Sequence, residues 1–157
     1  MEKLHVGLGK NSYDIMIGEN FFEEFPKYIG EVYTGKKLFV ITDSNVHEIY
    51  EEKYKEMFKG FNYSIFVLQA GEKHKHIGIM PSIYSAMVNE GLTRKDMVVA
   101  FGGGVVGDIA GFAAASYMRG IGFIQIPTTI VSQVDSSVGG KVGVDLPEGK
   151  NLVGAFH

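Results

Sequence analysis

One segment, residues 97–108, constrains the fold of this chain more than any other. It begins as a short β-rich apolar run, passes through three consecutive glycines, and continues as small and apolar residues with helical spacing. Gly102, Gly104 and Gly107 satisfy the G-x-G-x-x-G spacing, in which a strand turns over glycines into a helix. Such a turn offers free N–H groups and a positive helix end to a pyrophosphate. The pattern predicts a phosphate-binding turn, and a purely structural glycine turn is the alternative.

Strands and helices alternate along the rest of the sequence. The β-rich runs are 37–42, 63–68, 97–101 and 122–126, and the helical patterns are 21–29 with Asn20 as a candidate cap, 46–58, 77–89 and 105–115. Short strands at 4–8 and 13–17 predict an N-terminal β-hairpin. This order predicts one α/β domain over residues 1–157, Rossmann-like, with a mostly parallel sheet and helices on both faces.

Composition excludes several classes of protein. The 157 residues carry 15 Lys and Arg against 18 Asp and Glu, a formal net charge of −3, so no basic field is available for nucleic acid. The most apolar stretch, 97–115, is interrupted by glycines and by Asp108, which argues against a membrane span. There is no cysteine, and the N-terminal residues do not resemble a signal peptide, so we expect a cytoplasmic protein.

In parallel sheets, ligands bind beyond the carboxyl ends of the strands, and polar residues follow each predicted strand here. The usual acidic ribose ligand is missing after the strand that follows the glycine turn, where Thr128 and Thr129 stand instead. Asp43 and Asn45 follow an earlier strand, and Asp43 is the best substitute. It could equally cap the helix that begins near Val46, and both interpretations stay open.

Two further segments combine charged and polar side chains with glycine. Residues 71–75 place Glu72 and Lys75 in a turn, where they could reach ribose or phosphate, although a solvated charged loop is the simpler interpretation. Residues 133–141 and 149–151 carry too many polar groups for a core element and are too rich in glycine for a solvated helix. Lysines there could hold phosphate or carboxylate, and aspartate and asparagine could bind hydroxyls. Arg119 is a further candidate for an anion.

Taken together, these segments resemble the 3-dehydroquinate synthase family. The matching segments are 102–108, 118–120, 127–129, 133–141 and 149–151, in the order and spacing of that family, and 71–75 matches its cofactor loop. The resemblance runs from about Asp43 to the last residue, while the opening hairpin matches only in type. Glycerol and iron-type alcohol dehydrogenases share the fold and a glycine turn but not the string 135–141.

The resemblance implies a reaction that the residues alone would not reveal. It implies conversion of 3-deoxy-D-arabino-heptulosonate 7-phosphate to 3-dehydroquinate and phosphate in the shikimate pathway, with NAD as a catalytic cofactor and zinc or cobalt as the metal. It further implies a homodimer. The family's metal ligands lie in a second, helical domain, so we expect this chain to be the NAD-binding domain of a longer enzyme and to be inactive alone. No metal ligand is predicted among its five dispersed histidines.

Site residues follow from the resemblance position by position. The positions implied for NAD are Asp43, Asn45, Glu72, Lys75, Gly103, Gly104, Val105, Gly107, Asp108, Thr128, Thr129, Lys141 and Lys150. The positions implied for substrate and catalysis are Asp135, Lys141, Lys150, Asn151 and Arg119, with Arg119 reaching the partner subunit's site. Three alternatives remain at this point: another sugar-phosphate cyclase, a polyol dehydrogenase of the same fold, and a nucleotide-binding module without chemistry.

Overall fold

The computed structural model describes residues 2–19, 22–35 and 37–157. Eight strands are present in that part of the chain: β1 Glu2–Val6, β2 Tyr13–Ile17, β3 Lys37–Asp43, β4 Asn62–Leu68, β5 Met97–Gly102, β6 Gly122–Pro127, β7 Lys141–Leu146 and β8 Gly149–Phe156. Five α-helices accompany them: α1 Phe25–Val32, α2 Ser44–Tyr50, α3 Tyr54–Met57, α4 Met80–Asn89 and α5 Gly104–Ser116. None of the helices in the described part is long and apolar enough to cross a membrane.

The central sheet has four strands in the order β4-β3-β5-β6, and all of its pairings are parallel. Because the chain moves outward from β3 to β4 and then returns to the other side of β3, the strand order reverses between β3 and β5. A reversal of this kind opens a crevice at the carboxyl edge of the sheet. The predicted parallel α/β architecture is confirmed.

Two apolar clusters, one on each face, hold helices against the sheet. Side chains alternate along a strand, so neighbouring residues belong to opposite faces. Phe39 and Ile41 join Val98 and Ala100 in the cluster beneath α4 and α5. The intervening residues Leu38, Val40 and Val99 belong to the cluster beneath α1, α2 and α3. All six residues of β5 are buried, which explains its continuous apolar sequence.

A second antiparallel hairpin, β7 paired with β8, was not predicted from the sequence. Its strands approach closely because Gly143 and Gly154 carry no side chain. A Cβ on Gly154 would lie 2.4 Å from the Val142 carbonyl oxygen, and one on Gly143 would lie 2.8 Å from that of Val153. Glycine has a low β-propensity, so the two glycines that permit this pairing also weaken the strand pattern in the sequence.

Several element boundaries differ from the predictions. The first strand spans Glu2–Val6 rather than 4–8, and α1 begins at Phe25, after a 3-10 turn over Phe22–Glu24. The cap predicted at Asn20 lies outside the described residues. The single helix predicted over 46–58 is wrong, because a 3-10 turn at Glu51–Lys53 separates α2 from α3. The hydrophobic spacing continues across that turn, since Tyr54 and Met57 are both buried in the core.

Candidate functional site

The candidate site begins where β3 and β5 leave the sheet side by side. Thr42 on β3 is paired with Phe101 on β5, so the following residues, Asp43 and Gly102, lie on adjacent strands at the carboxyl edge. This edge is where the strand order reverses and where parallel sheets bind ligands. Two segments that are far apart in sequence, the acidic strand end and the glycine turn, therefore border one crevice.

The glycine turn leaves the start of α5 uncapped. Gly103 occupies the N-cap position without a side-chain hydrogen bond, and its carbonyl accepts the Gly107 amide at 3.0 Å. The Thr128 amide donates to the Gly102 carbonyl at 3.0 Å, and a Cβ on Gly103 would lie 3.4 Å from Thr129 Cγ2. Both threonines thus flank the turn, as their position after β6 predicted. The first amides of α5 form an arrangement suited to an anion.

The glycines of α5 also have a packing role. A Cβ on Gly104 would meet Ser136 Oγ at 3.5 Å, and one on Gly107 would meet Gln125 Nε2 at 2.5 Å. Ser136 belongs to a π-helical turn, Ser132–Ser136, which packs against this end of the helix. Its Oγ is buried and has no hydrogen-bond partner among the described residues. Close packing against Gln125 of β6 therefore accounts for Gly107, whereas the contact at Gly104 is an ordinary one that does not require a glycine.

Asp43 caps helix α2. Its Oδ1 accepts the amides of Asn45 at 2.9 Å and of Val46 at 3.0 Å. The capping interpretation that the sequence left open is thus correct, and Asn45 takes part through its backbone. Both of these bonds use a single carboxylate oxygen, so capping and ribose binding by Asp43 are chemically compatible.

Lys75 and Asp108 form an ion pair that joins the loop 71–75 to α5. The two atoms, Nζ and Oδ2, lie 2.5 Å apart, and the side chains are 6% and 18% exposed respectively. The solvated-loop interpretation of residues 71–75 is therefore wrong for Lys75, because that loop packs across the start of α5. Burial raises the pKa of the Asp108 carboxyl above its ordinary value, and the hydrogen bond from Lys75 opposes that shift.

A second ion pair joins the same loop to β8. Lys150 Nζ lies 2.9 Å from Glu72 Oε1, and both side chains are largely exposed. The hydrogen bond with Glu72 raises the pKa of Lys150. In this exposed setting the pair contributes little to folding and leaves both groups accessible to a ligand.

Asp145 connects these two ion pairs and was not predicted as a site residue. Its amide donates to the Lys75 carbonyl at 2.9 Å, and its Oδ1 accepts the Asn151 amide at 2.7 Å. Asn151 has a positive φ of 54°, so this contact holds a left-handed residue at the start of β8. The available signal was an aspartate directly before the Leu-Pro-Glu-Gly turn. A cleft lined by Glu72, Lys75, Asp145 and Lys150 results.

The structure keeps other predicted site residues apart. Lys141 pairs with Phe156 and Leu146 with Gly149, so Lys141 and Lys150 start near opposite ends of the β7–β8 hairpin. At the rise of a strand, their backbones are about 15 Å apart. Asp135 is exposed on the π-helical turn, and Lys141 is exposed at the beginning of β7.

Arg119 lies beyond the far end of α5. That helix has 13 residues and is about 20 Å long, so Arg119 is distant from the glycine turn. It borders a shallow surface groove with Thr93, Arg94 and Lys95. Both Met118 and Arg119 have positive φ, 51° and 69°, and the Arg94 Nε donates to the Met118 carbonyl at 3.1 Å.

Among the described residues, no group of three or more His, Cys, Asp or Glu side chains is placed to hold a metal ion. The described residues therefore do not provide the set of about three ligands that zinc requires.

These features define an open parallel α/β domain. A glycine turn and two lysine–carboxylate pairs lie at the edge of its sheet where the strand order reverses. The family model described as 3-dehydroquinate synthase N-terminal matches residues 65–157, more than half of the chain. The chain belongs to the 3-dehydroquinate synthase family. The curated 3-dehydroquinate synthase of Clostridium acetobutylicum is 50% identical over 159 residues, which cover 100% of this chain and 45% of that protein. The chain thus spans a little under half the length of such relatives.

Two solved structures of similar fold are sugar-phosphate cyclases. A 2-deoxy-scyllo-inosose synthase, complexed with carbaglucose-6-phosphate, NAD⁺ and Co²⁺, has a TM-score of 0.90 and 29% identity, covering 99% of this chain and 42% of its own. The 2-epi-5-epi-valiolone synthase of Streptomyces hygroscopicus subsp. jinggangensis, with NAD⁺ and Zn²⁺ bound, has a TM-score of 0.83 and 28% identity, covering 97% and 42%. The Rossmann-like fold predicted from the sequence is confirmed.

Proposed function

We propose that this chain is the NAD-binding domain of a 3-dehydroquinate synthase. The observation that carries the proposal is that Asp43 lies next to the glycine turn, at the edge where the strand order of the sheet reverses. The chain that forms this edge belongs to that family. Both cyclase structures described above contain NAD⁺. The complete enzyme would convert 3-deoxy-D-arabino-heptulosonate 7-phosphate to 3-dehydroquinate and phosphate.

The described residues fit a dinucleotide. The uncapped start of α5 would bind the pyrophosphate through the amides after Gly103, and the absence of side chains at Gly103 and Gly104 leaves space for it. Asp43 would bind a ribose hydroxyl. The other positions proposed for the cofactor are Asn45, Glu72, Lys75, Val105, Gly107, Asp108, Thr128, Thr129, Lys141 and Lys150. When bound, NAD⁺ would supply a hydride acceptor that is restored in each turnover.

Lys75 and Asp108 would act on the cofactor as a unit. Because the pair is largely buried, the carboxylate is held in a fixed position beside the first turns of α5. The loop 71–75 is thereby held against the glycine turn before any ligand arrives. Preorganisation of this kind lowers the cost of ordering the loop on binding.

The substrate would occupy the cleft next to this loop. Lys150 borders it, and Lys150 would release Glu72 to bind an anionic group of the substrate. Asn151 follows Lys150, and its amide donates to Asp145, which also lines the cleft. Asp135 and Lys141 would approach the same ligand from the opposite end of the β7–β8 hairpin, since lysine side chains are long. Arg119 would serve the partner subunit of a homodimer, which agrees with its distance from this cleft.

The described residues do not form a metal site. The zinc or cobalt expected of the family would be held by residues outside the described part.

Calorimetry with NAD⁺ tests the cofactor half of this proposal. Gly104→Asp should abolish binding, because a carboxylate there repels the pyrophosphate, whereas Gly104→Asn has almost the same size without the charge and should bind more weakly but measurably. Gly30→Asp is a surface control, since nothing lies within 4 Å of a Cβ at Gly30. Binding by Gly104→Asp as tight as that of the unmodified chain would mean that the turn is structural only.

Phosphate release tests the reaction. A longer protein containing this chain should release phosphate from 3-deoxy-D-arabino-heptulosonate 7-phosphate with NAD⁺ and Zn²⁺, and the 157-residue chain should not. Glucose 6-phosphate, which corresponds to the analogue bound by the solved cyclase, is the comparison substrate. Preference for glucose 6-phosphate would favour another sugar-phosphate cyclase, and net NADH production from a polyol would favour a dehydrogenase.

A further inference from the structure

The N-terminal hairpin contacts the substrate segment through one hydrogen bond. The Tyr13 hydroxyl on β2 accepts the Gly139 amide at 2.9 Å, across a separation of 126 positions. Gly139 and Gly140 connect the π-helical turn to β7 and have positive φ values of 92° and 68°. The residue that follows them is Lys141. The conformation of these two glycines therefore sets where Lys141 begins.

Gly140 and Gly139 are held in different ways. The Gly140 carbonyl accepts the His157 amide at 2.9 Å, and a Cβ on Gly140 would lie 2.7 Å from the His157 carbonyl oxygen. Among the described residues, no atom beyond the chain neighbours of Gly139 lies within 4 Å of the position where its Cβ would be. Since glycine has wide backbone freedom, the hydrogen bond from Gly139 to Tyr13 restrains it.

Tyr13 is itself held in place by charges on the hairpin. Its neighbour Asp14 accepts from Lys3 Nζ at 2.8 Å and lies 2.8 Å from His5 Nδ1, and His5 is the direct cross-strand partner of Asp14. An isolated two-stranded hairpin is marginally stable, so these contacts support its register. In that register Tyr13 is paired with Val6 at the end of the ladder.

We infer that Tyr13 is a positioning residue for Lys141, and that the N-terminal hairpin is therefore part of the substrate site. This inference rests on the proposed function, because it gives Lys141 a ligand to bind. Tyr13 touches neither substrate nor cofactor. It restrains the Gly139–Gly140 turn, and the turn fixes the position of Lys141.

Tyr13→Phe in the longer protein tests the inference, since it removes one hydroxyl and keeps the ring. We expect kcat/KM for the heptulosonate phosphate to fall about three- to tenfold, the effect of one hydrogen bond. The unfolding temperature should fall no further than in the control variant, because the contact is exposed to solvent. Tyr84→Phe is the matched control, as the Tyr84 hydroxyl bonds to Ser116 on another face.

A double-mutant cycle separates positioning from general structure. In a Lys141→Ala background, Tyr13→Phe should have at most a twofold effect, because the group it positions is gone. Faster amide exchange at Gly139 in the Tyr13→Phe chain would report the loss of restraint directly.

The outcomes distinguish the inference from the proposed function. If the longer protein turns over normally and Tyr13→Phe has the same kcat/KM, the inference is overturned and the proposed function stands. The same holds if the effects of Tyr13→Phe and Lys141→Ala on kcat/KM are fully additive. Absence of turnover in the unmodified longer protein overturns the function and the inference with it.

Discussion

Lys75 and Asp108 stand 33 positions apart in the sequence and form the most buried ion pair in the described part of the chain, with 2.5 Å between Nζ and Oδ2. Removing either partner leaves a charge buried without its counterpart, which is strongly destabilising. We expect Lys75→Met and Asp108→Asn each to lower the free energy of unfolding by about 2–3 kcal/mol, measured by denaturant titration. The double variant Lys75→Met, Asp108→Asn should lose less than the sum of the two single changes. Strict additivity would show that the pair is not energetically coupled.

The exposed pair of Lys150 and Glu72 should behave in the opposite way. Their side chains are 70% and 49% exposed, so solvent screens their attraction. Lys150→Ala should leave the unfolding midpoint unchanged but reduce turnover of the longer protein severely, as a substrate-binding lysine would. Lys53→Ala, which breaks another exposed pair with Glu56, is the control that should change neither quantity. A large loss of stability in Lys150→Ala would assign that residue a structural role.

The hairpin should weaken in acid because of Asp14. The hydrogen bonds from Lys3, and then from His5, hold the pKa of the Asp14 carboxyl below its ordinary value. Since the folded pKa is lower than the unfolded one, the unfolded chain binds more protons as the pH falls. The contribution of Asp14 is therefore complete above about pH 4 and is lost as the pH drops through the lowered pKa.

An NMR titration of the Asp14 carboxyl carbon measures that shift. Lys3→Met should return the pKa towards about 3.9, the value of an unperturbed aspartate. Lys53→Met, remote from the hairpin, should not move it. An Asp14 pKa that is the same with and without Lys3 would remove the electrostatic support that we assign to the register of the hairpin.

Two glycines of the same helix should respond differently to alanine. A Cβ on Gly111 would lie 2.3 Å from Val142 Cγ1 in the core, whereas one on Gly104 would make an ordinary contact with Ser136 at 3.5 Å. Gly111→Ala should therefore cost about 1–3 kcal/mol by overpacking, although alanine favours helices. Gly104→Ala should stay within about 1 kcal/mol of the parent. Equal effects in thermal unfolding would mean that β7 does not pack on α5 as described.

The turn that carries Arg119 holds backbone strain. Arg119 has a φ of 69°, which is costly for a residue with a Cβ and free for glycine. We expect Arg119→Gly to be more stable than Arg119→Ala by about 1 kcal/mol, since both lack the side chain and differ in this strain. In the longer protein both variants should lose activity alike. A more stable alanine variant would argue against the left-handed conformation.

Much of the fold and part of the candidate site were predictable from local sequence. Strands β3 and β5 were recognisable because a strand buried on both faces is a continuous apolar run, as all six residues of β5 demonstrate. The outer strands β4 and β6, which are only partly buried, were recognisable from their β-branched and aromatic residues. The turn at Gly102–Gly104 was recognisable because a strand, glycines and a helix follow one another within a few residues. Thr128 and Thr129 flank that turn as expected, because in a parallel sheet each strand ends at the same edge.

Other features depend on contacts that no local pattern records. The β7–β8 hairpin escaped prediction because close strand approach requires Gly143 and Gly154, and glycine weakens the strand signal. The sequence left the role of Asp43 open, since the same side chain caps a helix and stands beside a ligand crevice.

The sequence by itself determined the order of strands β1 to β6, the glycine turn and the family, because each rests on segments whose residues are close together along the chain. Only the tertiary structure decided that Lys75 pairs with Asp108, that Lys141 and Lys150 lie at opposite ends of one hairpin, and that Tyr13 holds Gly139. The physical reason is that strand order and hairpin packing bring together residues of high sequence separation. Local periodicity specifies which face of an element is buried, and it leaves the distant partner on that face unspecified.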